Sequence, residues 1–148
     1  MKRFQIIAIL STFPLLFAAS CGNQAAAVAV NEACKQTEKR AVKVEGYFRL
    51  PQSSEPPLTG ENDPGSYMLL LVEKENGTGS FINVQVPFTD SKERNRLDTL
   101  PASYTYNDLH INTDSGAQIS SGDKVAVSGR VLKDSKPCVV QVEKIEKP

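Results

Sequence analysis

The sequence predicts a small all-β domain with one short helix, built as a five-stranded Greek-key barrel or, alternatively, as a small β-sandwich. Runs in which apolar and polar residues alternate are typical of half-buried strands. Asn76-Gly77 between two apolar runs is typical of a β-hairpin, and glycines inside the predicted strands fit the coiling of a closed barrel. The chain has 148 residues, enough for one domain.

The first predicted strand covers residues 41–50. One side of it is apolar and the other is charged or polar, which is typical of a half-buried strand; the apolar side holds Val42, Val44, Gly46, Phe48 and Leu50. Gly46 on the buried side indicates a bend or a close backbone approach. Residues 51–66 are rich in proline and glycine and predict a long loop.

An antiparallel hairpin is predicted after this loop. Its strands are residues 67–73 and 80–86, and Asn76-Gly77 forms the turn. Asn76-Gly77-Thr78 also matches a glycosylation pattern, which we interpret as turn chemistry. Pro87 is expected to end the second strand.

A short helix or turn is predicted after the hairpin. Asp90 can cap its N-terminus, Glu93 stands three residues further on, and Pro101 ends it. Its basic residues are interrupted by acidic ones, so we interpret them as a solvated face and not as an anion site: Lys92, Arg94 and Arg96.

The remaining elements are strands. Residues 104–111 predict an irregular strand, and residues 124–132 and 138–145 predict two further strands joined by a turn. Ile145 falls out of phase with the apolar residues that precede it, which indicates a bulge or the end of the strand.

This series of elements resembles the OB-fold, a small five-stranded Greek-key barrel. The resemblance lies in Val44-Glu45-Gly46-Tyr47-Phe48, in residues 122–131 and in residues 138–145. OB-folds bind ligands on the face of their second and third strands and on the flanking loops. This implies that Tyr67, Lys133 and Lys136 lie near a ligand. Alternatively, Tyr67 fills the core together with other aromatic residues, Phe81 and Tyr104.

The N-terminus has the pattern of an export signal. Lys2 and Arg3 precede an apolar segment, residues 4–17, and small residues follow from Ala18 to Ser20. As a helix the apolar segment would span about 21 Å, less than the ~30 Å of a bilayer core, so we expect it to be removed. The predicted organisation is a signal peptide (1–20), a lipidated N-terminus with a flexible tether (21–33) and the β domain (34–148).

Ala18-Ala19-Ser20-Cys21 resembles the lipobox of bacterial lipoproteins. The resemblance implies that Cys21 is the first mature residue and carries acyl chains. Gly22 after the cysteine, in place of Asp, implies the outer membrane as destination. Ordinary secretion is the alternative, because Ala18 and Ser20 also fit an A-x-A-like cleavage site.

The number of cysteines supports lipidation. The chain has three, and an odd number in an exported protein leaves one thiol open to oxidation. If Cys21 is acylated, Cys34 and Cys138 remain as a pair. An oxidising compartment permits a disulfide between them that ties the start of the domain to its end. Two buried, unpaired thiols are the alternative.

No catalytic motif is present in the sequence. His110 is the only histidine, and its apolar neighbours Leu109 and Ile111 suggest that its ring lies at the surface. One histidine cannot build a multi-histidine metal site, no serine lies in a G-x-S-x-G elbow, and the acidic residues do not complete a calcium loop. We therefore predict no catalytic residue, no metal and no cofactor.

The net charge limits the classes of partner that the sequence predicts. Without Lys2 and Arg3 the chain holds 15 Lys and Arg against 17 Asp and Glu, which predicts neither a nucleic-acid partner nor polybasic attraction to anionic lipid. We expect a non-enzymatic binding or accessory lipoprotein of the cell envelope, anchored through Cys21, facing the periplasm or the exterior, with a protein or glycan partner. The alternative is an envelope enzyme or a metal-dependent stress factor with a dispersed site.

Overall fold

The computed structural model describes residues 24–51, 59–60, 63–133 and 138–148. Five long strands form its centre: β2 (Ala41–Arg49), β4 (Asp63–Val72), β5 (Phe81–Thr89), β9 (Lys124–Leu132) and β10 (Val139–Glu146). The shorter elements are β1 (Ala26–Val28), α1 (Val30–Ala33), β3 (Thr59–Gly60), β6 (Arg96–Asp98), a 3-10 helix (Tyr106–Asp108), β7 (His110–Asn112) and β8 (Gln118–Ser120).

The five long strands close into a barrel. Strand β2 pairs antiparallel with β4 and β4 with β5, β5 runs parallel to β10, and β9 pairs antiparallel with both β10 and β2. The ring order is therefore β2-β4-β5-β10-β9, the Greek-key order of an OB-fold. The predicted all-β barrel with one short helix is confirmed, and a two-sheet sandwich is not formed.

Alternation along the strands fills the barrel interior. Each long strand buries every second side chain over most of its length, as half-buried strands do. The largest fully buried side chains are Phe48, Leu69, Leu71, Leu97, Leu109, Ile111 and Ile145. Burying each of these stabilises the fold by about 1.5–3 kcal/mol relative to leaving it exposed. The predicted bulge is confirmed, because the β9–β10 register shifts between Val142 and Lys144 and so returns Ile145 to the core.

Two glycines allow neighbouring strands to approach closely. A Cβ on Gly46 would lie 2.5 Å from the carbonyl oxygen of Val72, which confirms the close approach predicted there. A Cβ on Gly129 would overlap the backbone carbonyl of Gln141. Gly129 pairs with both Val42 and Val142, so it lies where three barrel strands come together.

The domain begins earlier than predicted. The described part of the expected tether contains β1, which pairs in parallel with β2 from Ala26 to Val28, and α1, which buries Val30 and Ala33. The pairing of β2 with β4 explains why β1 can form. Strand β2 pairs with β4 only at residues 47–49, so the earlier half of that edge is open to β1. Within the described residues, regular secondary structure therefore begins at Ala26, before Cys34.

Of the short helix or turn predicted over residues 90–100, a turn forms at Arg94 and Asn95, and the helix does not. Lys92 and Asn95 have φ angles of 52° and 59°, in the left-handed region that interrupts a helix, and β6 extends from Arg96 to Asp98. Pro87 does not end β5, which continues to Thr89 and there pairs in parallel with β6. Strands β6, β7 and β8 form an antiparallel flap at this end of β5.

The irregular strand predicted over residues 104–111 is only partly formed. Its middle is a 3-10 helix, Tyr106–Asp108, with a capping box between Thr105 and Asp108, and only its last two residues belong to β7. The backbone N–H and side chain of Thr105 both donate to Asp108, and these two bonds hold the pKa of that carboxyl below its usual range.

A disulfide joins Cys34 to Cys138, as predicted, with 6.0 Å between the Cα atoms. It ties the segment after α1 to the start of β10 across 104 positions of sequence. The predicted signal peptide and Cys21 lie outside the described residues. No helix in the described part of the chain is long and apolar enough to cross a membrane.

Asn95 links the flap to the barrel through hydrogen bonds. Its side-chain oxygen accepts a 2.8 Å hydrogen bond from the backbone N–H of Ile145, and its amide nitrogen donates 3.0 Å to the carboxylate of Asp114. The backbone N–H of Asp114 in turn donates 2.7 Å to the carbonyl of Ile145. The pKa of Asp114 is lowered, most strongly by the hydrogen bond from Asn95 and next by the one from Lys144.

We expect Asn95→Ala to lower the free energy of unfolding by about 2 kcal/mol, because it removes two hydrogen bonds and places alanine at a left-handed φ. The difference in unfolding free energy between Asn95→Ala and wild type should become smaller at acidic pH. A carboxyl with a lowered folded pKa stabilises the fold above its unfolded pKa, and this contribution is lost as the pH falls through the folded pKa. Urea unfolding at pH 7 and pH 3 measures both effects. Asn95→Asp at pH 7 tests the role of the amide nitrogen, and full stability of this variant would contradict that role. Equal losses of stability by Asn95→Ala at pH 7 and pH 3 would contradict the part assigned to the Asp114 carboxylate.

Candidate ligand groove

An open groove of about 640 Å³ crosses the outer face of β4, β5 and β10. We call the end of the barrel where β2, β5 and β10 begin the proximal end, and the end where they finish the distal end. The groove extends to the distal end, where β4 starts, β5 finishes and the flap is attached. Its lining is Gly65, Ser66, Gln85, Pro87, Phe88, Thr89, Glu93, Arg96, Gln141, Val142 and Glu143.

The floor of the groove is polar. Ser66 is buried and Gln85 is 8 % exposed, and the amide nitrogen of Gln85 donates 2.8 Å to the hydroxyl of Ser66. Gln85 also lies opposite Gln141 in the parallel β5–β10 register. Because Val84 and Val86 point into the core, both amide side chains belong to the outer face. The floor therefore combines amide and hydroxyl groups that are fixed by strand backbone.

An aromatic pair supports the distal wall. The rings of Tyr67 and Phe88 stack with 4.2 Å between centroids, and Phe88 lines the groove. The hydroxyl of Tyr67 accepts a 3.2 Å hydrogen bond from the backbone N–H of Leu100. Tyr67 is only 8 % exposed, so it lies behind the wall of the groove. Of the two predictions made for Tyr67, its position agrees with the one that placed it in the core.

Charged side chains border the groove. Arg96 and Glu93 form a loose ion pair at 3.6 Å on the flap side, and both are substantially exposed. On the β10 side, Glu143 pairs with Arg130 at 2.8 Å. Exposed pairs of this kind contribute little to stability, so these groups remain available to a ligand at small cost. The rim thus offers both charge signs around a neutral floor.

Lys133, which was also predicted near a ligand, does not line this groove. Lys133 is exposed and follows β9 at the proximal end, and Lys136 lies outside the described residues. The sequence interpretation missed Ser66, Gln85 and Gln141. The alternation of the second hairpin strand could have indicated Gln85. Asn83 and Gln85 alternate there with the apolar residues that predicted the strand.

The groove has no evident catalytic group. His110 lies in β7, outside the groove lining, and its ring is only partly exposed, with a buried Nδ1 that has no hydrogen-bond partner among the described residues. The ring is therefore less exposed than the sequence suggested. Within the described ranges, no group of three or more His, Cys, Asp or Glu side chains is close enough to hold a metal ion.

Comparison with known proteins finds structural similarity at low sequence identity. No protein family matches the sequence, and no curated protein matches it. Two solved structures are similar: the telomere capping protein Ten1 from Saccharomyces pombe, 13 % identical with a TM-score of 0.42 over 83 % of this chain and 80 % of that one, and the S. pombe Stn1-Ten1 complex, with the same identity and TM-score over 83 % and 75 %. At this identity the likeness concerns the fold alone.

One prediction needs correction. We expected no nucleic-acid partner because the chain is nearly neutral, whereas one of the similar structures is a telomere capping protein. The exclusion of nucleic acid does not stand, because it depended on net charge alone. Its physical weakness is that a net charge sums over the whole surface, whereas binding depends on local groups such as Arg96 at the groove rim.

Proposed function

We propose that this protein is an exported lipoprotein, anchored in the cell envelope through Cys21, whose barrel binds a glycan in the groove over β4, β5 and β10. The observation that carries the binding role is the polar floor of Ser66, Gln85 and Gln141. Ser66 and Gln85 lie on the face of the second and third barrel strands, where OB-folds bind ligands, and Gln141 lies beside Gln85 on β10.

The chemistry of the lining favours a glycan. Side-chain amides and hydroxyls both donate and accept hydrogen bonds, as sugar hydroxyl and N-acetyl groups do. Phe88 and Pro87 add apolar surface beside them, and a few oriented polar groups within such surface are typical of ligand sites. Arg96 and Glu143 at opposite borders can fix the orientation of an elongated ligand.

The anchor is supported by the sequence of the N-terminus and by the pairing of the other two cysteines. The lipobox-like residues Ala18 to Cys21 follow an apolar segment of signal-peptide length, and the Cys34–Cys138 disulfide accounts for the other two cysteines. A disulfide fits an oxidising compartment outside the cytoplasm. Cys21 is then the one cysteine left for acylation.

Binding is tested by titrating the mature protein with a soluble trimer of N-acetylglucosamine and with a 12-nucleotide single-stranded DNA. We expect the trimer to bind, and Gln141→Ala and Arg96→Ala each to weaken it about tenfold, the effect of one or two lost hydrogen bonds. Gln118→Ala, an exposed glutamine on β8 outside the groove, is the control and should bind like wild type.

Two results would contradict the glycan proposal. One is affinity for the trimer that the groove variants leave unchanged. The other is tighter binding of the DNA, weakened by both groove variants and by salt, which is the signature of phosphate recognition and would assign the groove to nucleic acid.

A further inference from the structure

The chain enters the barrel at its proximal end. Strand β1 runs parallel to β2 and starts at Ala26, so the residues before it leave from the end where β2 begins. Four residues separate Cys21 from Ala26, and at no more than about 3.6 Å per residue the two are within about 18 Å. The proximal end is therefore held close to whatever surface carries Cys21.

Basic side chains are concentrated at this end. Lys39 and Arg40 precede β2 and are fixed to β9: the N–H of Lys39 donates 2.8 Å to the carbonyl of Val131, and the N–H of Val131 donates 3.3 Å to the carbonyl of Arg40. Lys133 follows two residues after Val131. All three side chains are exposed, and none forms an ion pair with another described residue.

Few acidic side chains stand beside this cluster in the sequence. Glu32 is paired with Lys35 at 2.7 Å, so Glu38 is the acidic neighbour of Lys39 and Arg40 in the described segment before β2. Glu73 and Glu75 lie in the β4–β5 turn at the same end, with Lys74 between them. Lys39, Arg40 and Lys133 therefore form a local basic group in a chain that, from residue 4 onward, has two more acidic than basic side chains.

An exposed aromatic ring lies at the same end. Phe81 is the first residue of β5 and is 61 % exposed, the only large apolar side chain in the described ranges with such exposure. It points outward because Ile82 points into the core. Through the β5–β10–β9 register, Asn83 aligns with Val139 and Val139 with Leu132, which places Phe81 on the same side of the barrel end as Lys133.

We propose that the proximal end, through Lys39, Arg40, Lys133 and Phe81, contacts an anionic phospholipid surface; this rests on the proposed anchor at Cys21. Cations near an anionic leaflet are attracted within about a Debye length, and an exposed phenyl ring gains by burial at the boundary between headgroups and acyl chains. The contact orients the barrel so that the distal end, with its groove, faces away from the lipid and toward a ligand.

The test uses the acylated protein in vesicles containing brominated phosphatidylglycerol. The chain contains no Trp, so Phe81→Trp provides a single indole, which can be excited selectively, at the proximal end. Ala117→Trp, at an exposed site on the flap, provides one at the distal end. We expect bromine to quench the indole at position 81 at least about threefold more than that at position 117. Adding Lys39→Gln, Arg40→Gln and Lys133→Gln should reduce the quenching at position 81 by about twofold or more.

Equal quenching at the two positions in protein that mass measurement shows to be acylated would overturn the lipid contact and leave the anchor in place. Unchanged quenching in the charge variant, or in neutral brominated phosphatidylcholine, would overturn the electrostatic part of the contact. A mature protein without acyl chains would overturn both the contact and the anchor.

Discussion

Reduction of the Cys34–Cys138 disulfide is expected to lower the free energy of unfolding by up to about 4.7 kcal/mol, the chain-entropy value for a loop of ~100 residues. Small domains are stable by only about 5–15 kcal/mol, so this loss would remove a large part of the total. The bond closes a loop of nearly the whole domain, because its sulfurs are 104 positions apart. Denaturant titration with and without reductant measures the difference.

The double variant Cys34→Ser, Cys138→Ser separates loss of the bond from side effects of the reductant. It should match the reduced protein and should not change further when reductant is added. Identical melting with and without reductant, together with alkylation of both thiols in the native protein, would show that the pair does not stabilise the fold.

Gly129→Ala is expected to lower the free energy of unfolding by about 3 kcal/mol, at the upper end of the cost of overpacking. The added methyl would overlap backbone atoms of Gln141 and Val142, which cannot move aside as a flexible side chain can. Because Gly129 pairs with β2 and β10 at once, relief of the clash would have to separate strands of the closed barrel.

Ser128→Ala is the matched control for this variant. It changes the neighbouring residue of the same strand, whose side chain is only partly buried, and should alter stability by no more than about 0.5 kcal/mol. Urea midpoints for the two variants provide the comparison. Equal stability of Gly129→Ala and wild type would mean that the strands are less closely packed than described.

The long strands could be predicted because their signal is local. Alternation from Val42 to Phe48 and in β9 follows from burial of one face, and Asn76-Gly77 fixes the turn between β4 and β5. In that turn Gly77 has a φ of 80°, and the side-chain oxygen of Asn76 accepts hydrogen bonds from the N–H and hydroxyl of Thr78. Such features require no knowledge of distant residues.

The short elements could not be predicted because distant partners define them. Strand β1 forms on an edge of β2 that β4 leaves open, and β6 forms beside the end of β5. The capping signal at Asp90 and Glu93 was overridden by the left-handed residues Lys92 and Asn95 and by the bonds of Asn95 to Asp114 and Ile145. Local propensity is a weak prior when tertiary contacts compete with it.

The groove was only partly predictable for a similar reason. The OB-fold resemblance indicated the face of the barrel on which the groove lies, but the aromatic residue predicted there, Tyr67, lies behind the wall. Gln85 and Gln141 are far apart in sequence and become neighbours only through the parallel β5–β10 pairing. That pairing follows from closure of the barrel and from no local pattern.

The central claim, a binding barrel held at a membrane by acylated Cys21, is tested most directly by mass spectrometry of the mature protein from a bacterial membrane fraction, beside the Cys21→Ser variant. The account predicts an N-terminal peptide that starts at Cys21 and carries acyl chains, and a variant that is unacylated and absent from the membrane fraction. An unmodified Cys21, or a Cys21→Ser protein that remains with the membranes as wild type does, would contradict it.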